Sequence, residues 1–441
     1  MAISTDFSIV IARLAKAVAI STDYSIVIAR LAKAVAISTD YSIVIARLAK
    51  AVAISTYFSI ERTAAMNIHY LDNSATTQVS KAAADAAYAL MRENYGNPSS
   101  LHKLGIRAEE AIEQARERIA EKLAVEAKTI YFTSGGTEAN NTALFGAAEA
   151  LRRRGDRVLV SAVEHSSVYE SAKRLAQLGY DVRYIPVDQD GIVDVDALKA
   201  LLTDRVILVS VMAVNNETGS IQPVERIAKL VHKNSPDALY HCDAVQAFCK
   251  IPLKPKKWGV DLMTVSAHKI HGAKGSGALH IRDGARILPL LYGGEQQKKL
   301  RPGTESAPMI AAFGEAAAEA DVSANAEYIQ TLNAYALEKL RQLDGVTINS
   351  PADALPYIIN ISVEGVRSET MLHHLEESGV YVSSSSACAK GKRSYVLEAM
   401  GLPDDRIDSS LRISFSKYNT AEDIDALISG LQSGIDNLQK R

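Results

Sequence analysis

At 441 residues, 47% hydrophobic and 23% charged, the chain has the composition of an ordinary globular protein long enough for more than one domain. Its 49 basic and 51 acidic residues leave a formal net charge of -2, which gives no basis for general affinity to nucleic acid or to an anionic membrane. Three cysteines, Cys242, Cys249 and Cys388, make a poor disulfide framework, so a reducing cytoplasmic setting is expected.

The first 65 residues stand apart from the rest. Residues 2–18 read AISTDFSIVIARLAKAV, nearly the same text returns at 19–35 and 36–52, and a shortened copy starts at Ala53. A period of 17 turns a helix by about 100° between equivalent positions and flips the face of a strand, so neither element presents one common face. Arg13, Lys16 and their copies interrupt each apolar run short of a membrane span. Residues 1–65 are read as a duplicated or artificially appended leader without function, upstream of Met66.

From about residue 80, short apolar runs alternate with helix-like stretches. The runs are TIYFTS at 129–134, RVLVSAV at 157–163, RVILVSVMAV at 205–214, ALYHCDA at 238–244 and DLMTVSA at 261–267. Between the first two lies EANNTALFGAAEALRRRG, a helix that Gly155 is expected to end. The alternation predicts an α/β fold with a parallel sheet covered by helices. Polar, chemically capable residues cluster where these runs end: SGGTE, EHSS, NNETG, CDAVQ and SAHK. Ligands of open α/β sheets bind outside the carboxyl ends of strands, so the clusters are expected to converge on one crevice.

Each cluster carries its own chemistry. Ser134-Gly135-Gly136-Thr137-Glu138 opens a helix whose free N–H groups suit an anion such as phosphate, although a tight turn capped by Thr137 would read the same. Asp243, buried at a strand end, needs a cationic partner, and a protonated cofactor ring nitrogen is one. Lys269, one strand later in SAHK, is placed to form a Schiff base, with Ser266 and His268 beside it to help hold a phosphate. His165 can stack on an aromatic ring or shuttle a proton. Asn215 and Asn216 can hydrogen-bond a ring oxygen or simply build a turn.

These residues together resemble the cysteine desulfurases, in the class V aminotransferase branch of fold-type I enzymes that use pyridoxal 5'-phosphate (PLP). The resemblance runs from about Tyr70 to the C-terminus. It includes LDNSATT at 71–77, GNPSSLHKLG at 96–105, TSGGTEANN at 133–141, VNNETG at 214–219, HCDAVQ at 241–246 and SAHKIHGAKGSG at 266–277. Further on come RPGTES at 301–306, SSACAKGK at 385–392 and LRISFSKYNTAEDID at 411–425. It implies a large PLP-binding domain over 78–322 with a mainly parallel sheet, and a smaller α+β domain from 66–77 with 323–441.

Carried over residue by residue, Lys269 resembles the lysine that bears the cofactor, Asp243 the partner of its ring nitrogen, and His165 the stacking histidine. Gln246 and Asn216 resemble contacts to the cofactor hydroxyl, and Gly136, Thr137, Ser266 and His268 the phosphate cradle. Thr304 resembles a residue reaching the neighbouring subunit's phosphate, which implies a homodimer. Arg412 resembles the guanidinium that holds the substrate carboxylate.

Cys388 points to the substrate. In SSSSACAKGK it is expected on an exposed loop, with Lys390 and Lys392 favouring its thiolate, whereas Cys242 and Cys249 are read as packing. The resemblance then implies L-cysteine as substrate, L-alanine as product and a Cys388 persulfide. The persulfide sulfur would pass to an acceptor such as an iron–sulfur scaffold or thiolation protein. Catalysis would rest on Lys269, Cys388 and His165, without a metal, nucleic acid or membrane. A selenocysteine lyase, another class V aminotransferase and a catalytically idle PLP-fold partner remain the alternatives. Two positions depart from the family pattern: Ser385 replaces the glycine of SSGSAC, and Lys417 replaces the arginine of SFGR.

Because the leader has no coherent face, deleting residues 1–65 is expected to leave turnover and dimerisation unchanged. Gel filtration and a sulfide assay of the truncated protein check this; a soluble but inactive product would contradict it.

Overall fold

The five apolar runs become five strands of a seven-stranded sheet in the computed structural model, which describes residues 68–384 and 393–438. The repetitive leader, Ser385 and Cys388 lie outside the described residues. In chain order the first strands are β1 (His69–Tyr70), β2 (Ile130–Thr133), β3 (Arg157–Ser161), β4 (Asp181–Ile185) and β5 (Val206–Ser210). Then come β6 (Leu239–Asp243), β7 (Leu262–Ser266) and β8 (Gly277–Ile281).

The sheet order is β2-β8-β7-β6-β5-β3-β4. Only β8 runs against its neighbours, so β2 and β7, on either side of it, point the same way. The remaining pairs are parallel. Every residue of β5, β6 and β7 is buried, which is why those runs show no alternation of polar and apolar residues.

Alternate strand residues feed two cores. On one face Val158, Val160, Leu208 and Leu262 pack with Ala143 and Ala147 of the helix Gly136–Leu151 and Ala172 of the helix Ser166–Gln177. On the other, Leu159, Val209, Tyr240 and Met263 share a core with the helices Lys103–Leu123 and Ala307–Glu319.

The helix expected to end at Gly155 stops at Leu151. Gly155 has a different reason to be glycine: a Cβ there would collide with the Arg205 carbonyl oxygen. The requirement is close backbone approach rather than a helix cap.

The C-terminal part adds β9 (Val346–Ile348), β10 (Ile358–Val363), β11 (Val380–Tyr381), β12 (Ser383–Ser384) and β13 (Ser410–Ser414). Four of these form an antiparallel sheet ordered β12-β13-β10-β9. β1 pairs with β11 and Asp72 bridges to Ser414, so the segment after Ile68 is tied to the C-terminal elements. No helix among the described residues is long and apolar enough to cross a membrane.

Gly314 sets the spacing of two core helices, because a Cβ there would stand 2.6 Å from Ala115 Cα. Alanine would favour the helix by about 1 kcal/mol, but overpacking costs about 1–3 kcal/mol. Gly314→Ala is therefore expected to lower stability, read as a lower urea midpoint; a higher midpoint would show that the interface yields freely.

Candidate active site

The five strand-end clusters do meet at one edge of the sheet. The turn after β2 brings Gly135 and Gly136 over the ends of β6 and β7: a Cβ on Gly136 would stand 2.9 Å from Val245 Cγ2 and 3.8 Å from Ser266 Cβ. β8 intervenes between β2 and β7, and glycine at 277 allows the approach, since a Cβ there would lie 2.7 Å from the Gly135 backbone.

Gly135, not Thr137, caps the helix Gly136–Leu151, and its φ of 156° and ψ of 179° suit glycine. The first-turn N–H groups have no acceptor within the helix and point where an anion is favoured. Ser266 Oγ is buried without a partner among the described residues. The His268 ring lies 3.3 Å from Thr76 Oγ1, and burial beside Lys269 pulls its pKa down to about 4, so it is a neutral imidazole near neutrality.

Asp243 ends β6, buried, with two neutral donors. Asn140 Nδ2 donates to Oδ2 at 2.7 Å and the Val245 N–H to Oδ1 at 2.9 Å. The same Asn140 amide donates to Ser167 Oγ at 2.8 Å. With Oγ accepting there, the Ser167 hydroxyl donates to His165 Nδ1 at 2.8 Å, and the Ser167 N–H donates to the same nitrogen at 3.1 Å. Nδ1 is thus an acceptor, and neutral His165 carries its proton on Nε2. Burial lowers the His165 pKa, Lys269 and Arg412 lower it further, and Asp243 opposes them.

Lys269 follows β7, half-buried. Its Nζ donates to the carbonyls of Ser74 and, at 2.8 Å, Ala75. Gln246 Nε2 donates to the same Ser74 carbonyl at 3.0 Å. Arg412, in β13, donates from Nη1 to the Asn216 carbonyl at 3.0 Å and from Nη2 to Asp72 at 2.8 Å. Arg412 Nε and Asn216 Oδ1 are buried without partners among the described residues. Asn215 is instead a turn builder: its Oδ1 accepts from the N–H groups of Glu217 and Thr218, at 2.8 Å and 3.0 Å.

The edge therefore brings together Gly136, His165, Asn216, Asp243, Gln246, Ser266, His268, Lys269 and Arg412. Thr137 and Thr304 are exposed; the segment bearing Thr304 is tied to that helix through Arg301, whose Nε lies 2.8 Å from Glu138. Cys242 and Cys249 are buried, and burial raises both thiol pKa values, that of Cys249 to about 12. Sequence reasoning missed Asn140, Ser167, Asp72 and the Ser74 carbonyl. All four stand inside quoted clusters or motifs, but nothing local says which side chain of a motif turns inward.

Glu164, beside His165, is fully buried. Its Oε1 accepts from Ser161 Oγ at 2.8 Å and the Met212 N–H at 2.6 Å, while Oε2 has no partner among the described residues. Burial, and then the Asp243 charge, push its pKa up to about 8, so it is largely a neutral acid near neutrality.

Residues 69–427 match the family profile described as Aminotransferase class-V. The cysteine desulfurase IscS of Methanosarcina thermophila is 40% identical over 364 residues, covering 81% of this chain and 90% of that protein. A solved NifS-like protein is similar with a TM-score of 0.80 and 37% identity, over 84% of this chain and 99% of its own. A structure of SspA in complex with cysteine gives 0.71 and 30% identity, over 80% and 99%.

An acid whose folded pKa is raised contributes stability below its unfolded value and loses it as pH rises through the folded one. Glu164 should therefore erode stability from the ordinary glutamate value of 4.5 up to about 8. Glu164→Gln, neutral throughout, is expected to reduce the fall in melting temperature between about pH 5 and about pH 8. Thermal melts at both values check this, and an undiminished fall would contradict it.

Proposed function

The chain belongs to the class-V aminotransferase family, and from that premise we propose that it is a PLP-dependent cysteine desulfurase acting on L-cysteine. One observation carries the reading. Lys269 and Asp243 stand at the ends of adjacent parallel strands, the amine on two carbonyls and the carboxylate on two neutral donors.

The residues present fit the cofactor. The open first turn at Gly136 and Thr137, the unpartnered Ser266 hydroxyl and the neutral His268 suit its phosphate. Asp243, oriented but not ion-paired among the described residues, suits the ring nitrogen. Asn216 and Gln246 suit the ring oxygen, His165 the ring face, and Lys269 the aldehyde carbon. When bound, the cofactor supplies an electron sink for charge developing at the substrate Cα.

This chain's own groups do the rest. Arg412 binds the substrate carboxylate, which competes with Asp72 for the guanidinium. The Lys269 amine takes the Cα proton, and His165, with its proton on Nε2, holds a donor toward the site. The Cys388 thiolate attacks the substrate sulfur: the carbon–sulfur bond breaks and a sulfur–sulfur bond forms. The products are L-alanine and a Cys388 persulfide, so L-cysteine plus one thiol balances alanine plus one persulfide.

In this reading residues 78–322 bind the cofactor, and 66–77 with 323–441 make the smaller domain. The protein is cytoplasmic and a homodimer in which Thr304 reaches the neighbouring subunit's site; Tyr95, Leu101 and Tyr292 are exposed large apolar side chains, of the kind a dimer interface covers. The persulfide sulfur passes to an acceptor protein such as an iron–sulfur scaffold or a thiolation protein.

Cys388→Ala is expected to retain the visible band of bound PLP and its change on adding cysteine, yet release no sulfide. Mass spectrometry of the wild type after cysteine addition should find one extra sulfur on the Cys388 peptide. Lys269→Ala should lose the borohydride-reducible link and all turnover. Unimpaired sulfide release by the Cys388 variant, or sulfur on Cys242 or Cys249, would refute the proposal and favour a lyase or transaminase.

A further inference from the structure

A buried lysine that pairs with no carboxylate among the described residues needs a reason, because taking its charge out of water is costly. Lys250 is such a residue, only 6% exposed. Its Nζ donates to Gln246 Oε1 at 2.9 Å and lies 5.5 Å from the centre of the Tyr357 ring. Burial, with the charges of Lys269 and Arg412, pulls its pKa down to about 7. It borders the same small cavity of about 30 Å³ as Lys269, with Thr77, Cys249 and His271.

The hydrogen bonds from Lys250 run in one direction. Lys250 meets the carbonyl end of the Gln246 amide, which leaves the NH2 end to donate to the Ser74 carbonyl at 3.0 Å. The Lys269 amine donates to that same carbonyl. An inverted Gln246 would set two acceptors against each other at Ser74, and its NH2 against the Lys250 donor. The amide orientation is thus fixed by the donor behind it.

We infer that Lys250 is a positioning residue for Lys269: it locks the Gln246 amide, and through it the Ser74 carbonyl on which the Lys269 amine rests. The inference builds on the reading of Lys269 as the lysine that bears PLP. Without Lys250 the amide is free to invert, the Ser74 carbonyl loses its second donor, and the amine loses its fixed place. Neutral or charged, the lysine can make this bond, since an amine also donates.

The test is the PLP dissociation constant of apoenzyme, from absorbance titration of wild type, Lys250→Met, Gln246→Leu and the double variant. Lys250→Met is expected to weaken binding by about ten-fold, the scale of losing an orienting hydrogen bond behind a ligand. In the Gln246→Leu background the same change should cost less than about two-fold, because the route through the amide is already gone. An equal loss in both backgrounds, or none in either, overturns the inference; a packing role would give the former. A further variant leaves Lys250 in place: Gln246→Glu still accepts from Lys250 but, ionised, cannot donate to Ser74. It should also lose about ten-fold, and wild-type affinity there overturns the inference without relying on the fold of Lys250→Met. A wild type that takes up no PLP would overturn the cofactor reading, and this inference with it. Wild-type uptake with unchanged affinity in Lys250→Met overturns the inference alone.

Discussion

A parallel strand buried on both faces has no side left for chemistry, so reactive groups must gather where strands end. β5, β6 and β7 are buried along their whole length, and their flanks are filled by two apolar cores. A polar side chain within them survives only with partners in place, as His241 does between Ser210 and Thr264 at 2.8 Å and 3.1 Å. At the carboxyl edge the constraint lifts, because backbone leaves the ladder and helix N-termini begin. Asp243, Ser266 and Lys269 all sit at that transition, as does the Gly135 turn.

Once charges are gathered in a desolvated edge, their orientation becomes the harder requirement. An ion pair would hold a carboxylate or an amine in place but would also satisfy its charge. Amides and carbonyls orient without doing so. Asn140 presents its NH2 to both Asp243 and Ser167, and thereby sets which nitrogen of His165 is protonated. Gln246 presents its NH2 to the Ser74 carbonyl beside the Lys269 amine. Both side chains are buried, where such networks are stiff and each missing partner is costly. Arg412 is the exception, paired directly with Asp72. That pair keeps a buried guanidinium compensated.

The sequence alone determined a good deal here. The five apolar runs each contain a strand, because continuous apolar text of that length suits only an element buried on both faces. The polar clusters behind them marked the edge, where Asp243 and, one strand later, Lys269 stand. The ordered motifs carried the family. Local signals failed where the constraint was not local. Gly155 reads as a helix stop but answers to Arg205, and β4 and β8 lay outside the runs. Asn215 and Asn216 are indistinguishable as text, yet one builds the turn and the other keeps an amide oxygen without a partner among the described residues.

Tertiary structure decided which residues meet. The reversed β8 between β2 and β7 brings the Gly135 turn onto the β7 end, and no pattern within either strand encodes that order. The Ser74 carbonyl reaches Lys269 across 195 positions, and Asn140 reaches Asp243 across 103. Propensity and periodicity act over a few residues. Contacts at such separations are set by how helices and strands pack, which the text of any one segment does not contain.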